Sequence, residues 1–288
     1  MYLLEQLVNG ICQGSIYALM AIGYAVIYGV VGLVTFTYGE IIMMGSFSAF
    51  YYFIIFGDNL VFALIAGFIT AAVVGIVVHK VCYQRFLDAP RYISLICTIG
   101  MSMFLKNFAT IVFGSEMKGM PAFMSGKYIE LGSIRIAYMQ LLIIGVVIVL
   151  SLLLTVYLKN TRMGMKLRAV SQDKKAAALV GINVKTTTLI GNCIGCGLGG
   201  VAGVLLGIYY NSVLPTMGGM AGLKAFSAMV LGGLGSIGGA AVGGTLIGIV
   251  ENLGIAVTSS GLRDVFAFLL LVIILVVKPQ GLFGKKGN

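Results

Sequence analysis

The chain has 288 residues, 59% of them hydrophobic and only 10% charged, with a net charge of +10. Its mean hydropathy is +1.06, whereas an ordinary soluble domain carries about 25% charged residues. A water-soluble globule is excluded, because so much apolar surface needs lipid as part of its solvent.

The 41 glycines come with 4 prolines and sit in apolar stretches. They point to close helix packing in a membrane rather than to disorder. Positive charges lie between apolar runs, which is the positive-inside pattern and not a nucleic-acid-binding surface. Cys12, Cys82, Cys97, Cys193 and Cys196 fall almost entirely within apolar runs and read as small buried hydrophobes. Cys193 and Cys196 have CxxC spacing, but no βαβ pattern surrounds them.

The first apolar run, Leu4 to Leu33, has no basic leader and reads as a first membrane helix, long enough to be irregular. The second, Tyr38 to Phe56, opens with Tyr38 and Glu40, a candidate pathway or gating pair expected at the cytoplasmic interface. Leu60 to Cys82 is the third run, with His79 as an interfacial or packing residue. Tyr92 to Phe113 is the fourth. Its Lys106 is expected either to snorkel or to pair with Glu40 or Glu251. Gly114 to Tyr138, with Glu116, Lys118, Lys127, Glu130 and Arg135, is the longest external segment and shows no strong periodicity. The fifth run is Met139 to Leu158.

Segment 159–185 carries seven basic residues against Asp173 alone, so it belongs in the cytoplasm. Inside it lies SQDKKAAALVGI (171–182). Ser171 or Asp173 can cap a helix start, Ala176, Ala177, Ala178 and Leu179 favour helix, and Gly181 suits a C-cap. A helix of about nine residues is about 13 Å long, too short to span and marginal alone. It either lies in the headgroup layer, docks into another protein, or is a solvated loop that fixes topology.

Run six, Thr186 to Tyr210, spells GxGxxG at Gly195 to Gly200, but inside an apolar helix and without the strand of a dinucleotide fold. Gly191, Gly195, Gly199, Gly203 and Gly207 recur at every fourth position and make a smooth helix face. That face is either static packing or a seam along which helices slide. Leu223 to Gly254 follows. As one helix it would be about 48 Å long, too long for a bilayer core of about 30 Å. A broken pair, or a re-entrant hairpin, is expected, with Gly232, Gly233, Gly235, Gly238 and Gly239 at the break. Glu251 and Asn252 are candidate gating residues near the external face, and Lys224 is expected to snorkel outward. Leu262 to Val277 is the last run.

The fold class is therefore all-α, a polytopic integral membrane protein of about 8–10 membrane helices. Charge places 159–185, the 83–91 loop and the C-terminal lysines (Lys278, Lys285, Lys286) inside, and the N-terminus lies outside if the first run crosses once. The sequence holds no phosphate-binding P-loop, no HExxH and no paired Cys or His set, so an enzyme reading lacks its chemistry.

Across nearly its whole length the chain resembles the permease subunit of a branched-chain amino-acid ABC importer of the LivH type. The resemblance rests on residues 14–40, 162–184, 197–207, 222–244 and KPQGLFG (278–284). It implies one transmembrane permease domain over 1–288, with 159–185 as its cytoplasmic coupling loop. The family's coupling pattern, Glu-Ala-Ala, three residues, then Gly, is matched by Ala176, Ala177 and Gly181, with Lys175 in the place of the Glu. Where the family reads Asn-Phe-Ala-His-Gly-Glu this chain has TFTYGE (35–40), so Phe36, Gly39 and Glu40 match and Thr35 and Tyr38 depart.

The implied partners are a second permease subunit in a heterodimer, two ABC ATPase subunits and an extracytoplasmic amino-acid-binding protein. No cofactor is implied on this chain; ATP-Mg belongs to the ATPases. The implied location is a prokaryotic cell membrane. The family also handles other amino acids, urea and short amides. An ion-gradient-driven transporter, with Glu40 or Glu251 as essential carboxylate, and a channel are the readings from other classes.

Overall fold

A computed structural model of the chain describes residues 2–86, 90–121, 128–131 and 134–284. Lys127, Lys285 and Lys286 lie outside them. The helices are α1 (Tyr2–Val31), α2 (Tyr38–Phe56), α3 (Leu60–Val78), α4 (Arg91–Phe113), α5 (Tyr138–Asn160), α6 (Arg162–Gln172), α7 (Lys174–Leu179), α8 (Val184–Tyr210), α9 (Met217–Gly232), α10 (Ile237–Val257) and α11 (Arg263–Val277). Among the described residues, seven helices (α1 to α5, α8 and α10) are long and apolar enough to cross a bilayer. With α9 at 16 residues and α11 at 15, the bundle agrees with the all-α expectation.

Three expectations need correcting. The first run is one unbroken helix of 30 residues, not an irregular one. The third does not end cleanly: α3 passes into a π-helical turn, His79–Tyr83, and a 3-10 turn, Gln84–Phe86. The long external segment is not featureless. Its β1 (Lys118–Gly119) pairs antiparallel with β4 (Ser212–Val213) beyond α8, and β2 (Tyr128–Leu131) pairs with β3 (Ile134–Ala137).

Small residues set the packing. Gly10, Gly14 and Ala18 of α1 lie against Ile249, Thr245 and Gly244 of α10, so the two helices run antiparallel with backbones nearly touching. Gly67, Ala71 and Gly75 of α3 meet Gly200 and Cys196 of α8 in the same sense. Helices that share lipid as solvent gain little from burying apolar surface against each other. Close approach, with its dispersion contacts, is what holds them.

The two triplets α1–α3 and α8–α10 are built alike. Each has a long helix, a connection (32–37 or 211–216), a second helix with a threonine just before its first residue (Thr37 or Thr216) that gives no side-chain cap, and a third helix. The second helices, α2 and α9, begin inside the bundle and meet there. A Cβ on Gly39 would strike the Gly218 carbonyl, and one on Gly222 would lie 2.8 Å from Gly39 Cα.

The glycine-rich stretch is broken as its length requires. The turn 233–236 separates α9 from α10, with Gly233 at φ +110° and Ser236 Oγ accepting from Gly239 N at 3.1 Å. Gly238 and Gly239 fall inside α10, and Gly239 packs face to face with Gly232. The C-terminal GLFG folds back here. Leu282 N and Phe283 N donate to the carbonyls of Leu231 and Gly232 at 2.9 and 3.0 Å, satisfying α9's last acceptors.

Candidate functional site

The basic segment forms two short helices rather than one. Thr161 Oγ1 caps α6 by accepting from Gly164 N at 3.0 Å. Asp173 caps α7, its Oδ1 accepting from Lys175 N at 2.7 Å and Ala176 N at 3.1 Å. Ser171 is not a cap. It lies in α6, where its hydroxyl donates to Arg168 O at 2.8 Å. Gly181, at φ +82°, ends α7: its N–H donates to Ala178 O, and Ile182 N donates to Ala177 O. The left-handed conformation favours glycine there.

Of the small residues in α7, Ala177 is buried while Ala176 and Ala178 face outward. The outward surface also carries Lys175, Leu179 (89% exposed) and Val180 (76% exposed). On the other side, Lys174 Nζ donates to the carbonyl of Val31, the last residue of α1. Behind α7 a cavity of about 430 Å³ is lined by Gly32, His79, Ser94, Asp173 and Lys174, among others. His79 is buried there, its ring 5.7 Å from that of Tyr83. A short polar helix is thus tied directly to the end of the most buried membrane helix, with its apolar tip turned outward.

The smooth face of α8 is fully used. Gly191 lies against Val30 and Leu167, Gly195 against Gly23 and Ile27, Gly199 against the Tyr38 ring, Gly203 against the Ile42 carbonyl, and Gly207 against Val213 and Met120. It therefore faces α1 at Gly191 and Gly195 and α2 at Gly199 and Gly203, and meets β4 at Gly207. Tyr38 is wedged in this seam, donating its hydroxyl to Met20 O at 2.9 Å and meeting Tyr24 edge-on at 4.9 Å.

Glu40 is not solvent-exposed. It is 3% exposed, in the first turn of α2 where that helix meets α9. One carboxylate oxygen accepts from Ser102 Oγ at 3.3 Å, and Oε2 has no hydrogen-bond partner. Lys106 is exposed and forms no ion pair with Glu40 or Glu251 among the described residues, so the pairing expectation fails for it.

Glu251 and Asn252 are buried, and they are brought together with residues that the sequence did not single out. Gln13 Nε2 donates to Glu251 Oε2 at 3.0 Å and to Tyr210 Oη at 2.9 Å, and Gln13 Oε1 accepts from Asn252 at 2.8 Å. Tyr17 Oη donates to Glu251 at 3.1 Å and accepts from Lys224 at 3.2 Å. Lys224 does not snorkel outward. It is 5% exposed and forms ion pairs with Glu251 at 2.9 Å and Asp264 at 2.8 Å. The signal was available: Lys224 and Glu251 are opposite charges inside apolar runs, where an unpaired charge is costly. Gln13 and Tyr17 carry no such signal, since a polar residue on a long apolar helix can equally face water.

Residues 6–275 match the family model described as "Branched-chain amino acid transport system / permease component". The chain is 39% identical to the Escherichia coli (strain K12) high-affinity branched-chain amino acid transport system permease protein LivH, over 99% of this chain and 96% of that one. It is 38% identical to the permease protein BraD of the corresponding Pseudomonas aeruginosa system, over 98% and 96%. It is 25% identical to the probable branched-chain amino acid transport permease protein LivH of Methanocaldococcus jannaschii, over 96% and 91%. No solved structure matches. This multi-pass membrane protein is a transport subunit rather than an enzyme, and it belongs to the family of permease components of branched-chain amino-acid transport systems.

Proposed function

We propose that the chain is the membrane-spanning permease subunit of an ATP-driven importer for leucine, isoleucine or valine. In this reading residues 1–288 form one permease domain and 159–185 are its cytoplasmic coupling loop. Two ATPase subunits, which carry ATP-Mg, dock on α7. A second permease subunit completes the pathway, and an extracytoplasmic binding protein delivers the amino acid. The α9–α10 pair acts as a broken hairpin that crosses and returns.

The observation that carries the reading is the attachment of α7. Lys174 holds it to the end of α1 while Leu179 and Val180 point outward. A partner that grips the exposed tip pulls on α1, and α1 packs along both α8 and α10. The test is reconstitution into proteoliposomes with the candidate ATPases. Leucine-loaded binding protein should stimulate ATP hydrolysis and ATP-dependent leucine uptake. Uptake that needs only an ion gradient, or uncoupled flux, would replace this reading by a secondary transporter or a channel.

A further inference from the structure

We infer that the cavity between α2, α4 and α9 is a binding site for a zwitterionic α-amino acid with an apolar side chain, its ammonium held by Glu40 and its carboxylate by the first turn of α9. The inference rests on the permease reading and supplies it with a site inside the membrane.

The cavity has a volume of about 350 Å³, at the small end of the range of about 300–1,000 Å³ for ligand pockets. Its walls are mainly apolar, including Tyr24, Val34, Ile99, Met103 and Phe226. Its polar lining comes from Thr35, Glu40 and Ser102. Glu40 lines it, and its Oε2 is buried without a hydrogen-bond partner. Ser102 gives the carboxylate a single long contact on the other oxygen. A buried carboxylate with an unsatisfied oxygen is costly unless a cation or donor completes it. An ammonium supplies both charge and donors.

The second pole is the start of α9. Gly218 and Gly219 line the same cavity. Thr216 gives no side-chain cap, so its hydroxyl satisfies none of the amides of that first turn. A helix N-terminus accepts a carboxylate through these amides and its dipole. The two poles are adjacent: Glu40 Oε2 lies 2.7 Å from where a Cβ on Gly218 would stand. An α-amino acid carries its two charges on one carbon, so one ligand can engage both poles and leave its side chain to the apolar wall. Gly219 has open space where its side chain would be. That gap admits the ligand to the helix end.

The test uses the assembled transporter in proteoliposomes with a diazirine-bearing leucine analogue. Adducts mapped by mass spectrometry should fall on peptides containing Val34, Met103 and Phe226. Labelling should drop about tenfold in Glu40→Gln, the loss expected for one charge-assisted hydrogen bond, and recover in part in Glu40→Asp. Gly219→Leu, which adds bulk where nothing stands in its way, should block labelling even if Glu40→Gln fails to fold. Unlabelled leucine should compete, whereas 4-methylpentanoate and 3-methylbutylamine, each lacking one charged group, should compete about tenfold less well. If the wild-type complex takes up the analogue in an ATP-dependent way but adducts fall elsewhere, or Glu40→Gln labels as wild type does, the site is wrong and the permease reading stands. If the wild type shows no ATP-dependent uptake, the permease reading fails first.

Discussion

Lys224 Nζ and Glu251 Oε1 lie 2.9 Å apart on neighbouring helices α9 and α10, and both residues are buried. The pair is bound into a polar cluster by Tyr17, Gln13 and Asn252. Three helices, α1, α9 and α10, are joined through it, in addition to the close glycine contacts between α1 and α10. A buried charge pair contributes little net stability, but its geometry is demanding, so it fixes how the helices sit relative to one another.

Removing Lys224 leaves Glu251 buried without its cation, so Lys224→Met should cost about 3–5 kcal/mol. Glu251→Leu should cost less, because Lys224 keeps its ion pair with Asp264 at 2.8 Å. The combined variant should cost clearly less than the sum of the two. Thermal unfolding followed by a thiol-reactive dye can measure this, because Cys12 and Cys196 are buried until the bundle opens. Strictly additive losses would show that the pair is not coupled.

The glycine face of α8 gives a second prediction. Gly203→Leu would drive its side chain into the Ile42 carbonyl, and Gly199→Leu into the Tyr38 ring. The Ile42 carbonyl cannot yield as a flexible side chain can, and the Tyr38 ring is fully buried with no room to move, so each should cost about 1–3 kcal/mol or more and lower the folded yield. Gly145, in α5, has no atom near its missing Cβ. Gly145→Ala should be neutral or stabilise by up to about 1 kcal/mol. Size-exclusion profiles of the three variants decide it. Equal behaviour at 145 and 203 would mean that the seam tolerates separation.

How much of this was legible in the sequence follows from which forces are local. Helix ends such as Tyr38, Phe56 and Phe113 were readable, because apolar run length is set by bilayer thickness and ends where turn residues begin. The break in 223–254 was readable from length, since one helix of that span overshoots the bilayer core. The burial of Glu40 was not. Its place depends on α2 starting inside the bundle, which is fixed by the contact of Gly39 with Gly218, 179 positions away. Ala177 shows the same limit on a smaller scale. Three consecutive alanines look equivalent in sequence, and only the docking of α7 onto its neighbours turns one of them inward.

The cap of α7 can be tested separately from transport. Asp173→Ala removes the acceptor for two amides and should cost about 1 kcal/mol of local stability. Hydrogen exchange of amides 177–182 should then quicken about fivefold, while α6, with its own cap at Thr161, keeps its protection. No change at 177–182 would mean that tertiary contacts, not the cap, hold the helix.

Docking and folding can also be pulled apart on α7. Leu179 is exposed at the tip, so Leu179→Asp costs the isolated permease little and places a charge where an ATPase groove would bury it. Binding-protein-stimulated ATP hydrolysis should fall by tenfold or more, about 1.4 kcal/mol of lost coupling, with thermal unfolding unchanged. Ala177 is buried against the rest of the chain. Ala177→Leu should therefore lower the unfolding temperature first and reduce coupling only as a consequence. If Leu179→Asp leaves stimulation intact while Ala177→Leu unfolds the segment, α7 is a structural brace and its exposed tip makes no functional contact. If both variants behave as expected, the gripping surface is Lys175, Ala176, Ala178, Leu179 and Val180, and Ala177 is the pivot on which they are mounted.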